Sequence, residues 1–240
     1  MPNQWVIPDI HGYHLTLKAL IDGQIKPSIE DELFFLGDYI DRGPDSKGVL
    51  DYLINLEERG LKARFLMGNH ESYLIDTFNE DKDKPGHLWF RSKGPKESEW
   101  LKFGGKETLK SFGVNRPGKI PEKYIHWLEK TEHFIMLEKY ILVHAGLNFS
   151  IPDPYSDKHF MLWAREFTPD LEKTGGRIVI HGHIPVEHEF IDYCANRGEF
   201  GFLALDNGVY LRNKTGFGNL MAYEINKEIL LAQPPVDEEQ

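Results

Sequence analysis

Residues 33–46 read LFFLGDYIDRGPDS. The four apolar residues Leu33 to Leu36 suffice for a short buried strand, and Gly37-Asp38 ends it with a turn pair leading into a cluster of charges. The same grammar recurs on both sides. Upstream, Trp5-Val6-Ile7 runs into Pro8-Asp9-Ile10-His11-Gly12, and downstream Ala63-Arg64-Phe65-Leu66-Met67 runs into Gly68-Asn69-His70-Glu71. Between these runs lie helical spacings: Leu15, Leu17, Leu20 and Ile21 closed by Gly23, then Val49, Leu50, Leu53, Ile54 and Leu56 closed by Gly60. Short strand, polar loop and helix in alternation predict a layered α/β architecture.

Residues from about 79 to 132 break this rhythm. Asp81 to Lys96 is charged and carries Gly and Pro, and two helices are predicted around Lys106–Phe112 and Glu122–Lys130, the second with Pro121 near its start. Neither carries a core of its own, so residues 1–240 are expected to form one domain with a helical insertion at about 79–132. Strands return at Phe134–Leu137 and Tyr140–His144, a hairpin across Glu138-Lys139. Further strands are predicted at Ile178–Ile180, Phe190–Tyr193, Phe202–Leu205, Val209–Leu211, Leu220–Ile225 and Ile229–Ala232. Their close spacing predicts antiparallel pairing, hence a mixed sheet system. The tail PPVDEEQ is expected to fray.

Composition narrows the function. A chain of 240 residues with 40% apolar content can bury a substantial core. It has no run of about 18 apolar residues that could span a membrane, and its first residues have no basic, apolar leader pattern. Cys194, the single cysteine, forms no internal disulfide or Cys-rich zinc site, which suits a reducing, cytoplasmic setting. The formal charge of −10 disfavours a nucleic-acid partner. Eleven histidines beside an acid excess, however, are what divalent metals bind.

Five polar clusters sit where apolar runs end: Asp9-Ile10-His11, Gly37-Asp38 through Asp41-Arg42-Gly43, Gly68-Asn69-His70-Glu71, His144-Ala145-Gly146 and His181-Gly182-His183. Singly, Gly-Asp and Gly-Asn are ordinary turns, and a histidine at a strand end is usually a satisfied core or surface residue. Five strand exits all ending in Asp, Asn or His are not explained as turns. They point to a site at the carboxyl ends of the strands.

The blocks PDIHG, GDYIDRGPDS, LMGNHE, WLKFGGKETLKSFG, LVHAGL, MLWAREF, VIHGHIPV and ALDNGVY resemble the calcineurin-like metallophosphoesterases. Within them, the similarity is to PPP-type protein phosphatases of bacterial and phage kind. The chain departs from that pattern at Pro8, Phe103 and Ile184, none of them a ligand position. The resemblance implies a four-layer α/β/β/α sandwich of two mixed sheets flanked by helices. It also implies two divalent metal ions, Mn first and Fe or Zn as alternatives. Asp9 and His11 would hold one, Asp38 would bridge both, and Asn69, His144 and His183 would complete the second. His181 is either a neighbour of the ligands or a strand end. A hydroxide bridging the ions would attack phosphorus in line. His70 would be the general acid, held by Asp41, and Arg42 would bind phosphate oxygens, with Arg165 as the second arginine. Glu71 is given a structural role.

The expected activity is hydrolysis of phosphomonoesters, first of phosphoserine and phosphothreonine in proteins. A symmetrical diadenosine tetraphosphate hydrolase is the alternative, since it shares the metal motifs. Substrate choice is expected to lie in the 79–132 insertion and near Tyr155–Arg165. An inactive scaffold on this fold would lack ligands or the acid, and all are present here. A nuclease would need a basic groove, which the acidic balance argues against. Two bound divalent ions would bring −10 to about −6 and make the pocket locally positive.

Overall fold

A computed structural model describes residues 2–83, 93–197 and 200–238. One sheet contains β1 (Gln4–Ile7), β2 (Glu32–Phe35), β3 (Lys62–Phe65), β8 (Leu220–Glu224) and β9 (Ile229–Gln233) in the order β3-β2-β1-β8-β9. The other contains β4 (Phe134–Met136), β5 (Tyr140–Val143), β6 (Ile178–His181) and β7 (Phe202–Ala204) in sequence order. β1, β2 and β3 run parallel, as do β5, β6 and β7. Antiparallel pairing is confined to β1–β8, β8–β9 and β4–β5. The mixed sheets are as expected, but β6 and β7 join in parallel because the connections before them are long enough for crossovers.

Strand alternation builds the layers. Trp5, Ile7, Leu33 and Phe35 face a core shared with the helices, while Val6, Phe34, Leu36 and Met221 face Leu142, Ile180 and Leu203 of the second sheet. On that sheet Ile141, Val143 and Val179 point the other way, onto Leu147 and Met161. The helical layer on the first sheet contains α1 (His14–Lys18), which continues into a wider π turn at Ala19–Ile25, and α2 (Ser46–Glu58). It also contains α3 (Asn69–Lys82), α4 (Pro95–Trp100), α5 (Gly105–Ser111) and α6 (Glu122–Leu128). α7 (Lys158–Trp163) covers the far face of the second sheet, giving the four-layer sandwich. The helices between 93 and 132 share the first core: Trp100, Leu109, Tyr124 and Leu128 pack with Ile7 and Leu33.

Three expectations are corrected. Phe190–Tyr193 lies in a helix, α8 (His188–Arg197), because Ile191, Cys194 and Ala195 form an i, i+3, i+4 stripe against the inter-sheet core. Val209–Leu211 is a turn, closed by the Leu211 N–H to Gly208 carbonyl bond. The tail is anchored: Asp237 is buried and accepts hydrogen bonds from the Leu15 and Thr16 amides and the Thr16 hydroxyl. Residues 84–92 of the charged stretch, and the last two of the tail, lie outside the described residues.

Candidate active site

The exits of β1, β2, β3, β5 and β6 converge on one buried centre. Glu71 on α3 ties two of them, accepting from the Asp38 and Tyr39 amides at 2.8 and 2.9 Å and from Gly68 at 3.1 Å. The structural role expected of Glu71 is therefore seen as a clamp between the loops after β2 and β3. Gly37 lets those loops touch: at φ +106° a Cβ there would lie 2.7 Å from Gly68 Cα.

Backbone strain is concentrated here. Among the described residues seven non-glycines have positive φ, and five are His11, Asp38, Asp41, Arg42 and His183. Each left-handed residue costs about 1–2 kcal/mol, so the surrounding packing holds these conformations against the preference of the chain.

The side chains share a centre at Asp38. Its Oδ2 lies 3.7 Å from His11 Nε2 and 3.8 Å from His70 Nε2, and its Oδ1 lies 3.5 Å from His144 Nε2. Asp9 Oδ2 is 3.9 Å from His11 Nε2, and both Asp9 oxygens accept from the His183 amide at 3.1 Å. On the other side, Asn69 Oδ1 lies 3.0 Å from both His144 Nε2 and His183 Nδ1, which are 3.2 Å apart.

These residues fit divalent cations. His11 Nδ1 faces the Ile40 carbonyl at 3.0 Å and His144 Nδ1 faces the Leu36 carbonyl at 2.9 Å, so each Nδ1 carries the proton. Each Nε2 then offers a lone pair to the centre, the orientation that outer hydrogen bonds impose on metal-binding histidines. His11, Asp38 and His70 form one group of converging donor atoms, and Asp38, His144 and His183 form another, both able to hold an ion.

Electrostatics agree. Burial lowers the pKa of His11 and His144, and burial followed by His144 pulls His183 down to about 3, so all three rings are neutral near pH 7 and able to act as ligands. Burial, then Asp206 and Asp38, hold the Asp9 carboxyl well above its usual range. Burial opposes charge on Asp38 as well, but His144, His70, His11 and His183 hold its carboxyl well below the usual range. Glu71 is pushed up to about 8 by burial and by Asp38. Without added positive charge the centre is short of cations.

Beside it, His70 Nδ1 lies 2.7 Å from Asp41 Oδ2, and Arg42 Nη2 donates to His70 Nε2 at 3.3 Å. Burial disfavours a charged His70, yet Asp38 and the Asp41 hydrogen bond outweigh it and raise the pKa. Arg42 also lies over the Tyr210 ring, 4.2 Å from its centroid. Asp9, His11, Asp38, Asp41, Arg42, Asn69, His70, His144 and His183 are thus brought together. Arg165 is exposed just past α7 and joins none of the hydrogen bonds or ion pairs of this centre. His181 bonds the Gly182 carbonyl and packs on Phe167 and Phe202, a strand-end role.

Sequence reasoning missed four residues. Trp100 and Thr108 hydrogen-bond Asp41, and Tyr210 packs on His11 and Arg42. Asp206 is buried beyond β7, with its pKa raised to about 7 by burial, and its Oδ2 has no hydrogen-bond partner. Their blocks, WLKFGGKETL and ALDNGVY, were visible, but nothing local marked which residue would reach the centre.

A family profile described as calcineurin-like phosphoesterase matches residues 3–230, and the chain belongs to that family of metal-dependent hydrolases of phosphoester bonds. Among curated relatives, the symmetrical bis(5'-nucleosyl)-tetraphosphatase of Photorhabdus laumondii is 34% identical over 113 residues, 45% of this chain and 39% of that protein. The protein of the same name from Buchnera aphidicola is 26% identical over 177 residues, 68% of this chain and 55% of that one. The chain thus spans about two fifths to just over half the length of these relatives. Among solved structures, a provisionally assigned diadenosine tetraphosphatase superposes with TM-score 0.66 at 18% identity, covering 99% of this chain and 97% of that one. A serine/threonine phosphatase from Saccharomyces cerevisiae superposes with TM-score 0.59 at 14% identity, covering 100% and 82%. These structures share the fold. No helix among the described residues is long and apolar enough to cross a membrane.

Proposed function

We propose that the chain hydrolyses symmetrical dinucleoside tetraphosphates, adding water to yield two nucleoside diphosphates. Dephosphorylation of phosphoserine and phosphothreonine proteins, first suggested by the motifs, gives way because both substrate classes share those motifs. The curated relatives carry the tetraphosphatase name. The single observation that carries the choice of a nucleotide is a pair of cavities whose linings meet where Phe103 of one stacks on Tyr73 of the other. One, of about 460 Å³, is lined by Arg42, Lys102, Phe103, Lys106 and Glu107, and its three cations against one carboxylate suit additional phosphates. The other, of about 540 Å³, is lined by Tyr73, Asp76, Lys158, His159 and Trp163. The Phe103 ring stacks on Tyr73 at 5.9 Å and Tyr73 meets Trp163 at 5.0 Å, an aromatic surface on which a base can stack.

In this reading Asp9 and His11 would hold one cation, Asn69, His144 and His183 the other, and Asp38 would be shared between them. Mn is the first choice, with Fe or Zn as alternatives. Two such cations, when bound, neutralise phosphoryl oxygens and acidify a water for attack. Arg42 binds phosphate oxygens, and Arg165, exposed past α7 and outside the centre's contacts, would join it only on reaching a bound substrate. In the free site Arg42 donates to His70 Nε2, so that nitrogen can take a proton only when Arg42 turns to another acceptor, and a phosphate oxygen is one. Asp41 keeps the His70 Nδ1 proton in place, and His70 passes the Nε2 proton to the leaving oxygen.

The test compares a dinucleoside tetraphosphate, a phosphopeptide and a small phosphomonoester with Mn, Fe, Zn or Mg. A kcat/KM at least about tenfold higher on the dinucleotide, with only nucleoside diphosphate as product, is expected. Preference for the phosphopeptide would overturn the reading.

A further inference from the structure

The stretch Trp100 to Thr108 lies in the 79–132 insertion expected to select substrate. Besides lining a cavity with Lys102, Phe103 and Lys106, it reaches inward to Asp41. Asp41 and Arg42 stand in left-handed backbone conformations, with φ of 71° and 68°, and Trp100, Gly104 and Thr108 contact them. The indole Nε1–H of Trp100 donates to Asp41 Oδ2 at 2.8 Å, the oxygen that His70 Nδ1 meets at 2.7 Å. The Thr108 hydroxyl donates to Asp41 Oδ1 at 2.5 Å. The Asp41 amide lies 3.0 Å from both the Thr108 and Ser46 hydroxyls. Trp100, Thr108 and Asp41 are all fully buried.

The two glycines between them fit the same purpose. The Gly104 carbonyl accepts from the Arg42 amide at 3.4 Å, and a Cβ on Gly104 would lie 2.9 Å from Arg42 Cγ. A Cβ on Gly105 would enter the Trp100 ring. The spacing Trp-x₃-Gly-Gly-x₂-Thr is therefore accounted for position by position: two donors on one carboxylate, and two places where backbone must approach closely.

A carboxylate that accepts from three donors on two oxygens cannot rotate without breaking one of them. With Trp100 Nε1–H removed, Oδ2 keeps His70 alone, and only the Thr108 hydroxyl on Oδ1 still resists a swing of the pair as a unit. We propose that Trp100 and Thr108 are positioning residues of the catalytic centre, which aim His70 at the leaving oxygen by fixing the Asp41 carboxylate. This rests on the assignment of His70 as general acid.

The measurement is kcat and KM on a series of phosphomonoesters from 2,4-dinitrophenyl phosphate, whose leaving group needs no proton, to an alkyl phosphate, whose leaving group does. The metal-loaded wild type is compared with Trp100→Phe, Thr108→Val, Thr108→Ser and His70→Ala. Trp100→Phe and Thr108→Val are expected to lower kcat on the alkyl ester by about 10–100-fold and on the dinitrophenyl ester by less than about 3-fold, with KM and metal content unchanged. Thr108→Ser, which retains the hydroxyl, is expected to restore the slope, and it keeps the test valid if Trp100→Phe folds poorly. An equal loss on every ester, or none, overturns the proposal. If His70→Ala shows the leaving-group dependence and neither Trp100→Phe nor Thr108→Val does, positioning alone fails. If His70→Ala is also flat, the general-acid assignment fails and takes the positioning role with it.

Discussion

Asp41 and Asp206 are both buried carboxylates beside the Asp38 centre, on opposite flanks and in opposite states of completion. Asp41 accepts from Trp100, Thr108 and His70, so protein alone satisfies it. Asp206 accepts from the Gly208 amide on one oxygen and from nothing on the other. Its charge, together with burial, weighs on Asp9 more than that of Asp38 does. A buried acceptor left open requires an explanation, and a cation with its water shell supplies one. On the proposed reading, the flank that carries His70 is prebuilt by protein donors, whereas the Asp9 flank would be completed by metal.

This contrast can be broken at its hinge. Asp38→Ala removes the oxygens shared by the two groups, so metal content should fall below two ions per chain and turnover by about 10⁴-fold or more, read by elemental analysis beside an activity assay. His70→Ala attacks the prebuilt flank alone: metal content should stay at two ions, while kcat falls by roughly 10²–10⁴-fold. Normal turnover of that variant would remove the acid from the account. Asp206→Asn attacks the unfinished flank. It should weaken metal affinity about 10–100-fold in calorimetric titration, and leave the leaving-group dependence of kcat untouched. An unchanged affinity would make Asp206 a structural residue.

The smallest effect is on pH. His11, His144 and His183 have pKa values lowered by burial and are already neutral, whereas Asp9 and Asp206 hold protons above the usual carboxyl range, Asp206 to about 7. Metal uptake at this centre is therefore expected to expel carboxyl protons. Affinity should rise as pH increases through about 7 and fall on acidification, with on the order of one to two protons released per chain. Titrations in buffers of differing ionisation heat count them, and a pH-independent affinity would contradict the charge assignment.

The first three strands and the polar exits that converge on one centre were legible because chemistry follows directly on an apolar run, as in Leu36-Gly37-Asp38 and Met67-Gly68-Asn69. Both are local signals. Trp100 and Thr108 were not legible as partners of Asp41, since 59 and 67 residues separate them from it and only the folded chain brings them together. Asp237 was read as frayed for the same reason: its partners are Leu15 and Thr16, more than 200 residues away. Phe190–Tyr193 misled in another way. Aromatic and β-branched residues favour strands on average, but the spacing of Ile191 and Cys194 against the inter-sheet core decides for helix. The left-handed backbone at His11, Asp38, Asp41, Arg42 and His183 has no sequence signature, because none of the five is a glycine.

The central claim is that one shared carboxylate, Asp38, joins two cation sites. Its most direct test is electron paramagnetic resonance of the protein titrated with Mn²⁺. The account predicts two ions per chain with an exchange-coupled spectrum, abolished in Asp38→Ala. A single ion per chain, or two giving only the spectrum of isolated Mn²⁺, would contradict it.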